Sequence, residues 1–149
     1  MNALSSLRVA IVLTLAVLVS ACSGGRDTVQ AHQARIRLLP APLPLAGYLT
    51  VHNGTNDTVR LIGAHSADFG HVMLHRSVQQ NGQARMQEVD GVDVPPGTDL
   101  VLRPGGLHLM LMHRRHALAA GDRLTVTLQF ASGTQVPVQF VVRPATEVD

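Results

Sequence analysis

The segment Pro104–His116, PGGLHLMLMHRRH, sets a leucine at alternate positions and fills the gaps with histidine and methionine. In an extended strand successive side chains leave opposite faces. Leu107, Leu109 and Leu111 therefore share one face, the core face, and His108, Met110 and Met112 share the other. Imidazole is a borderline donor and thioether a soft one; together they suit Cu(I) far better than Zn(II), Mg(II) or Ca(II). A lone methionine is more often apolar filler, and a lone histidine more often a surface or hydrogen-bonded residue, so this stretch alone does not make a site.

A second stretch supplies the matching half. His71–Val89 reads HVMLHRSVQQNGQARMQEV, and its Asn81-Gly82 between alternating runs is a strong hairpin signal. A two-residue loop there pairs Gln80 with Gln83, Val78 with Arg85 and Ser77 with Met86. His75 shares the face of Ser77, which makes it a diagonal neighbour of Met86 at roughly 5–7 Å between Cβ atoms. Val72 and Leu74 take the opposite, core face. Two strand regions thus each present one histidine and one methionine away from the core. Met73, Met112, His71 and His113 stand close by in the sequence as accessory donors.

Cysteine usage sharpens the chemistry. Cys22 is the only cysteine of the 149 residues. It ends an N-terminal stretch with one charge, Arg8, an apolar run Val9–Val19 too short to span a bilayer comfortably, and then Val19-Ser20-Ala21-Cys22, which resembles a bacterial lipobox. Residues 1–21 are accordingly expected to be a lipoprotein signal peptide, with Cys22 the lipidated residue. Ser23 follows it, with no Asp to signal inner-membrane retention, so the periplasmic face of the outer membrane is favoured over the inner. The remaining chain has no thiolate nucleophile, no disulfide and no thiolate ligand. A blue-copper electron carrier needs such a thiolate. Thioethers do not form disulfides, so they can hold copper in an oxidising compartment.

The elements that must position these residues read as strands. Residues 22–33 are small and polar and read as a flexible tether. From Ala34 onward the pattern alternates, with strands expected at Ala34–Leu39, Gly47–His52, Thr58–His65, His71–Gln80, Gln83–Val89, Asp99–Leu102, Leu107–Met112, Arg123–Phe130 and Val136–Val142. Turn signals recur about every ten residues, which argues an all-β antiparallel sandwich or barrel over residues 34–143, followed by a tail at 144–149. A turn near Arg114–Ala120 is the one hint of helix.

The ligand spacing is specific: His75, ten residues, Met86, twenty-one residues, His108, one residue, Met110. This resembles the H-x10-M-x21-H-x-M signature of the PCu(A)C-type periplasmic copper chaperones. GYLTVHNGTNDTVRLIGAHS is similar to the early hairpin of that family, DGVDVPPGTDLVLRPGGLHLMLM to its IPAGG…L-P-GG-x-H-x-M-L core, and AGDRLTVTLQF to its late strand. The likeness runs from Ala34 to Val142. It implies a cupredoxin-like, Greek-key β-sandwich, Cu(I) held by His75, Met86, His108 and Met110, and delivery to cytochrome c oxidase subunit II, often alongside Sco-type thiol proteins. Some relatives also take Cu(II) at accessory histidines and methionines.

Other functions find less support. All twelve basic residues are arginine, the formal charge is +2 and there is no arginine cluster interleaved with aromatics, so nucleic acid is a poor partner. His71-x3-His75 lacks the glutamate of a zincin helix, no nucleophile elbow appears, and Asp90 and Asp93 sit in a turn. No catalytic set emerges, so an enzyme is not expected. The competing readings are a copper-sequestering or resistance lipoprotein using the same four ligands without a dedicated acceptor, and a structural envelope module. His52 and His65 read as surface or strand-end residues, and His113 and His116 as part of a solvated loop.

Overall fold

In a computed structural model residues 28–147 form ten strands and a short 3-10 turn. The strands are β1 (Val29–Leu38), β2 (Leu45–Asn53), β3 (Val59–His65), β4 (Phe69–Gln80), β5 (Gln83–Glu88), β6 (Val92–Val94), β7 (Asp99–Leu102), β8 (Leu107–Arg114), β9 (Arg123–Phe130) and β10 (Gln135–Pro144). Their hydrogen-bonded order is β5-β4-β8-β2-β1-β10-β9-β3-β6, with β7 also paired to β2. The two ends of that path, β5 and β6, are consecutive in the chain and only three residues apart. The sheet therefore curls round until its ends meet, and Val89 N–H donates to the Leu74 carbonyl at that corner. This is the cupredoxin-like all-β architecture.

Alternation fills the interior. Leu107, Leu109 and Leu111 of β8, Leu124, Val126, Leu128 and Phe130 of β9, and Val138, Phe140 and Val142 of β10 all point inward, with Ile36, Leu45, Leu49, Val51, Leu61 and Leu74 from the other strands. Gly47 lies between Leu45 and Leu49 on the inner face of β2. A Cβ there would meet Leu111 Cδ1 at 3.2 Å and Leu109 Cβ at 3.3 Å, so the missing side chain lets β2 close onto β8.

Two expectations need correction. The segment 22–33 is not a tether throughout: Val29–Gln33 belongs to β1, where Val29, Gln30, Ala31 and His32 pair with Asn53, His52, Val51 and Thr50. A bulge between His32 and Arg35, with Gln33 at φ 57°, breaks the alternation there, which is why the small, polar composition hid the strand. Nor is every pairing antiparallel. β1 runs parallel to β10, Arg35 opposite Val141 and Ile36 opposite Val142, because the first strand slots between β2 and the last one. The Arg114–Ala120 segment contains no helix. The expected signal peptide 1–21 and the expected lipidation site Cys22 lie outside the described residues.

Candidate metal centre

The Asn81-Gly82 turn forms as its sequence dictates. Both residues have positive φ, 53° and 76°, as a two-residue type I′ hairpin requires. The register follows: Gln80 pairs with Gln83, Val78 with Arg85, Ser77 with Met86, and His75 with Glu88. On its other side β4 pairs with β8, which the local pattern of neither strand reveals. His75 lies opposite His108, Met73 opposite Met110, and His71 opposite Met112.

Directly opposed residues share a face, so the outer face of the sheet can be laid out as rungs. One rung runs across five strands: Arg35 on β1, Tyr48 on β2, His108 on β8, His75 on β4 and Glu88 on β5. Arg35 pairs with Tyr48 and its guanidinium lies 5.5 Å from the ring centre. The Tyr48 and His108 rings are 6.5 Å apart, and those of His108 and His75 are 6.2 Å apart at 63°. Met110 stands one rung to one side with Met73, and Met86 one rung to the other with Ser77. The structure thus sets His75 and His108 side by side and brings Met110 and Met86 to either flank.

Burial differs sharply among the four. His108 is only 3% exposed although it faces away from the leucine core, because Tyr48 and His75 cover it. His75 and Met110 are half-buried. Met86 is 60% exposed at the rim of the β4–β5 hairpin. Tyr48 and Arg35 could not be picked out from the sequence, since each belongs to the centre only through pairing between distant strands, whereas Ser77 and Glu88 follow from the register that the Asn81-Gly82 turn sets.

The imidazoles are prepared as ligands. His108 Nδ1 lies 3.0 Å from the Gly106 carbonyl. A carbonyl can only accept, so Nδ1 carries a proton, and in the neutral ring Nε2 is then the nitrogen with the free lone pair, as in many metal-binding histidines. Both ring nitrogens of His75 are buried and without a hydrogen-bond partner. A buried polar group left unpaired is costly, and a metal ion would satisfy it. Burial, together with the adjacent His108, holds the His75 pKa below the ordinary imidazole value, while Glu88 pulls the other way. The neutral form, the one that binds metals, is favoured. Among the described residues no three His, Cys, Asp or Glu side chains converge on a metal-sized site. A metal ion held here would draw on the thioethers, which suit a soft ion.

The accessory donors lie on the same face. His71 and Met112 form the rung beyond Met73 and Met110, and His113 reaches the same edge. His116 does not join them. Its Nε2 is 2.8 Å from Asp68 Oδ1 and its Nδ1 3.0 Å from the Ala117 carbonyl, so it ties its loop to the β3–β4 connection. His52 is likewise engaged, with Asp99 at 2.6 Å.

Residues 29–142 match the LpqE-like lipoprotein family. A lipoprotein-named protein of Leifsonia xyli subsp. xyli is 36% identical over 118 residues, spanning 78% of this chain and 70% of that protein. Among solved structures, the copper-bound PCuAC domain from PmoF2 superposes with a TM-score of 0.66 at 23% identity, covering 80% of this chain and 96% of that one. The Cu(I) form of DR1885 from Deinococcus radiodurans superposes with a TM-score of 0.61 at 25% identity, covering 83% and 81%.

Proposed function

This chain belongs to the LpqE-like lipoprotein family, and from that premise we propose that it is a lipid-anchored, extracytoplasmic Cu(I) metallochaperone. It shares its fold with PCuAC domains. His75, Met86, His108 and Met110 are the ligands. The observation that carries this reading is His75: two buried ring nitrogens without a partner, beside a second imidazole whose Nδ1 is already occupied by a backbone carbonyl. An imidazole pair flanked by two thioethers is a donor set for monovalent copper.

Delivery is favoured over storage by the exposure of Met86. Transfer needs an acceptor ligand to displace one of the carrier's own, and a thioether at the rim of an edge hairpin is the one an incoming protein reaches first. On the resemblance to PCu(A)C chaperones, the acceptor is a respiratory oxidase, through cytochrome c oxidase subunit II with Sco-type thiol proteins. The anchor supports a membrane-bound acceptor. Val29 follows Cys22 by seven positions, so a lipid on Cys22 would keep the first strand within about 25 Å of the bilayer, at the fully extended limit of 3.3–3.6 Å per residue.

Titration with Cu(I) against a chromophoric chelator tests the binding. Wild-type protein should hold one tight equivalent at this centre, His75→Ala and His108→Ala should each weaken it strongly, and X-ray absorption should show mixed sulfur and nitrogen scattering. A shell of nitrogen and oxygen alone would sink the assignment. Loss of oxidase activity in a deletion strain, restored by added copper, is the outcome expected for delivery; unchanged oxidase activity would point to sequestration instead.

A further inference from the structure

We propose that the same sheet face carries a second site for a soft monovalent metal ion, formed by His71, His113 and Met112. It goes beyond the four-ligand centre, which uses none of these residues. His71 and Met112 are directly opposed on β4 and β8, so their side chains share the outer face. His113 follows Met112 and by simple alternation would turn away. Instead it has φ 53°, a left-handed conformation uncommon outside glycine, and its ring comes to 5.6 Å from that of His71, with the planes at 75°. Two imidazoles bound to one ion through bonds of about 2.0 Å bring their ring centres to roughly 5–6 Å.

The neighbouring strand makes room for this. A Cβ on Gly70 would lie 2.9 Å from His113 Cβ and 3.5 Å from its Nδ1, so His113 occupies space that any side chain at position 70 would take. Among the described residues no side-chain hydrogen bond holds the ring of His71 or His113, and the two rings contact each other. His52 and His116, by contrast, are held by Asp99 and Asp68. Both imidazoles of the pair are exposed and Met112 is half-buried, which leaves the site open to an arriving ion. Successive rungs on one face are two residues, or roughly 6.6–6.8 Å, apart. The outer site is therefore separated from His75 and His108 by one rung, and that rung is Met73 opposite Met110. An ion entering at the edge has thioether sulfur on both strands along the way to the inner centre.

Titration of the protein with Ag(I), a redox-inert soft probe, followed through the histidine ring resonances, tests this. Two equivalents should bind, one moving the His75 and His108 signals and a weaker one moving those of His71 and His113. The exposed double variant His71→Ala/His113→Ala should retain only the first equivalent, at unchanged affinity. Gly70→Ala, which removes no ligand, should weaken the outer equivalent at least tenfold by displacing His113. His71 and His113 resonances that stay still through two equivalents, or a second equivalent that survives in the double variant, would overturn the proposal. If instead His71 and His113 respond while His75 and His108 do not, the outer site stands and the four-ligand reading falls.

Discussion

At the scale of single residues, position relative to the core decides what each side chain does. Leu109 and Met110 are adjacent, yet Leu109 is fully buried in the interior and Met110 lies on the opposite face with His108 and the proposed metal centre. Leu109→Ala should cost about 2–5 kcal/mol of stability, as buried leucines do, with little effect on Cu(I) affinity. Met110→Ala should do the reverse. Denaturant melts and chelator competition on the two variants check it, and a swap would mean that the strand faces are inverted. This much is readable from the leucine alternation. The covering of His108 by Tyr48, and of Tyr48 in turn by Arg35, is not, because their strands meet only in the folded sheet and no local spacing relates residues 35, 48 and 108. His116 gives a pH prediction of its own. Its hydrogen bond to Asp68 comes first, then the Ala117 carbonyl and the charges of Asp68 and Asp122; together they outweigh desolvation and raise its pKa. A raised folded-state value means that the stabilisation is fully present below the ordinary histidine pKa of about 6.5 and fades as pH climbs through the raised value. His116→Gln should therefore lower the melting temperature at about pH 5.5 and much less at about pH 9. An equal loss at both would mean that the imidazolium contributes nothing.

At the scale of elements, the β4–β5 hairpin holds the most exposed of the proposed ligands by the least protected structure. Every residue of β5 is exposed, and Met86 and Glu88 are placed by pairing with β4 alone. Gly82 has φ 76° and nothing within 4 Å of a would-be Cβ, so Gly82→Ala meets no clash and acts purely through the backbone, at about 1–2 kcal/mol for a left-handed residue. The expected result is fraying of the hairpin without global unfolding. Cu(I) affinity should fall several-fold while the midpoint of unfolding barely moves, with the Met86 methyl signal broadening. This hairpin is legible to the residue because Asn-Gly allows only a narrow set of turns and the turn dictates the register. The pairing of β4 with β8 is not legible, since nothing in a strand's own sequence names a partner more than thirty residues away. The short β6 and the first half of β1 escape for another reason: three residues carry no period, and a bulge erases one.

At the scale of the molecule, the core and the site occupy opposite faces of one sheet. The apolar interior contains none of the four proposed ligands, so the protein should fold without copper, with the same strand content by circular dichroism in the presence of a strong chelator. Copper should then add stability only by mass action, about 4 kcal/mol when the free ion is a thousandfold above Kd. An apo protein that is unfolded would show instead that the ligands hold the sheet together. The proposed anchor makes the fifth prediction. Wild-type protein should incorporate labelled palmitate and fractionate with membranes, and Cys22→Ser should abolish both; a full-length, unlabelled periplasmic species would refute the anchor while leaving the copper centre untouched.

The parallel pairing of β1 with β10 also sets an order of events during biosynthesis. Arg35 must wait for Val141 and Ile36 for Val142, contacts more than a hundred positions apart, and such distant pairings form late and slowly. Until the final strand has been made, one edge of β1 has no partner and the sheet cannot finish curling. A chain whose β10 has not yet emerged is thus kept from completing its native state by its own connectivity. That suits the proposed lipoprotein, which must be threaded through a membrane as an extended chain before it meets its metal. A version truncated before Gln135 should remain susceptible to protease at every stage, whereas the intact chain should become resistant in a single late step.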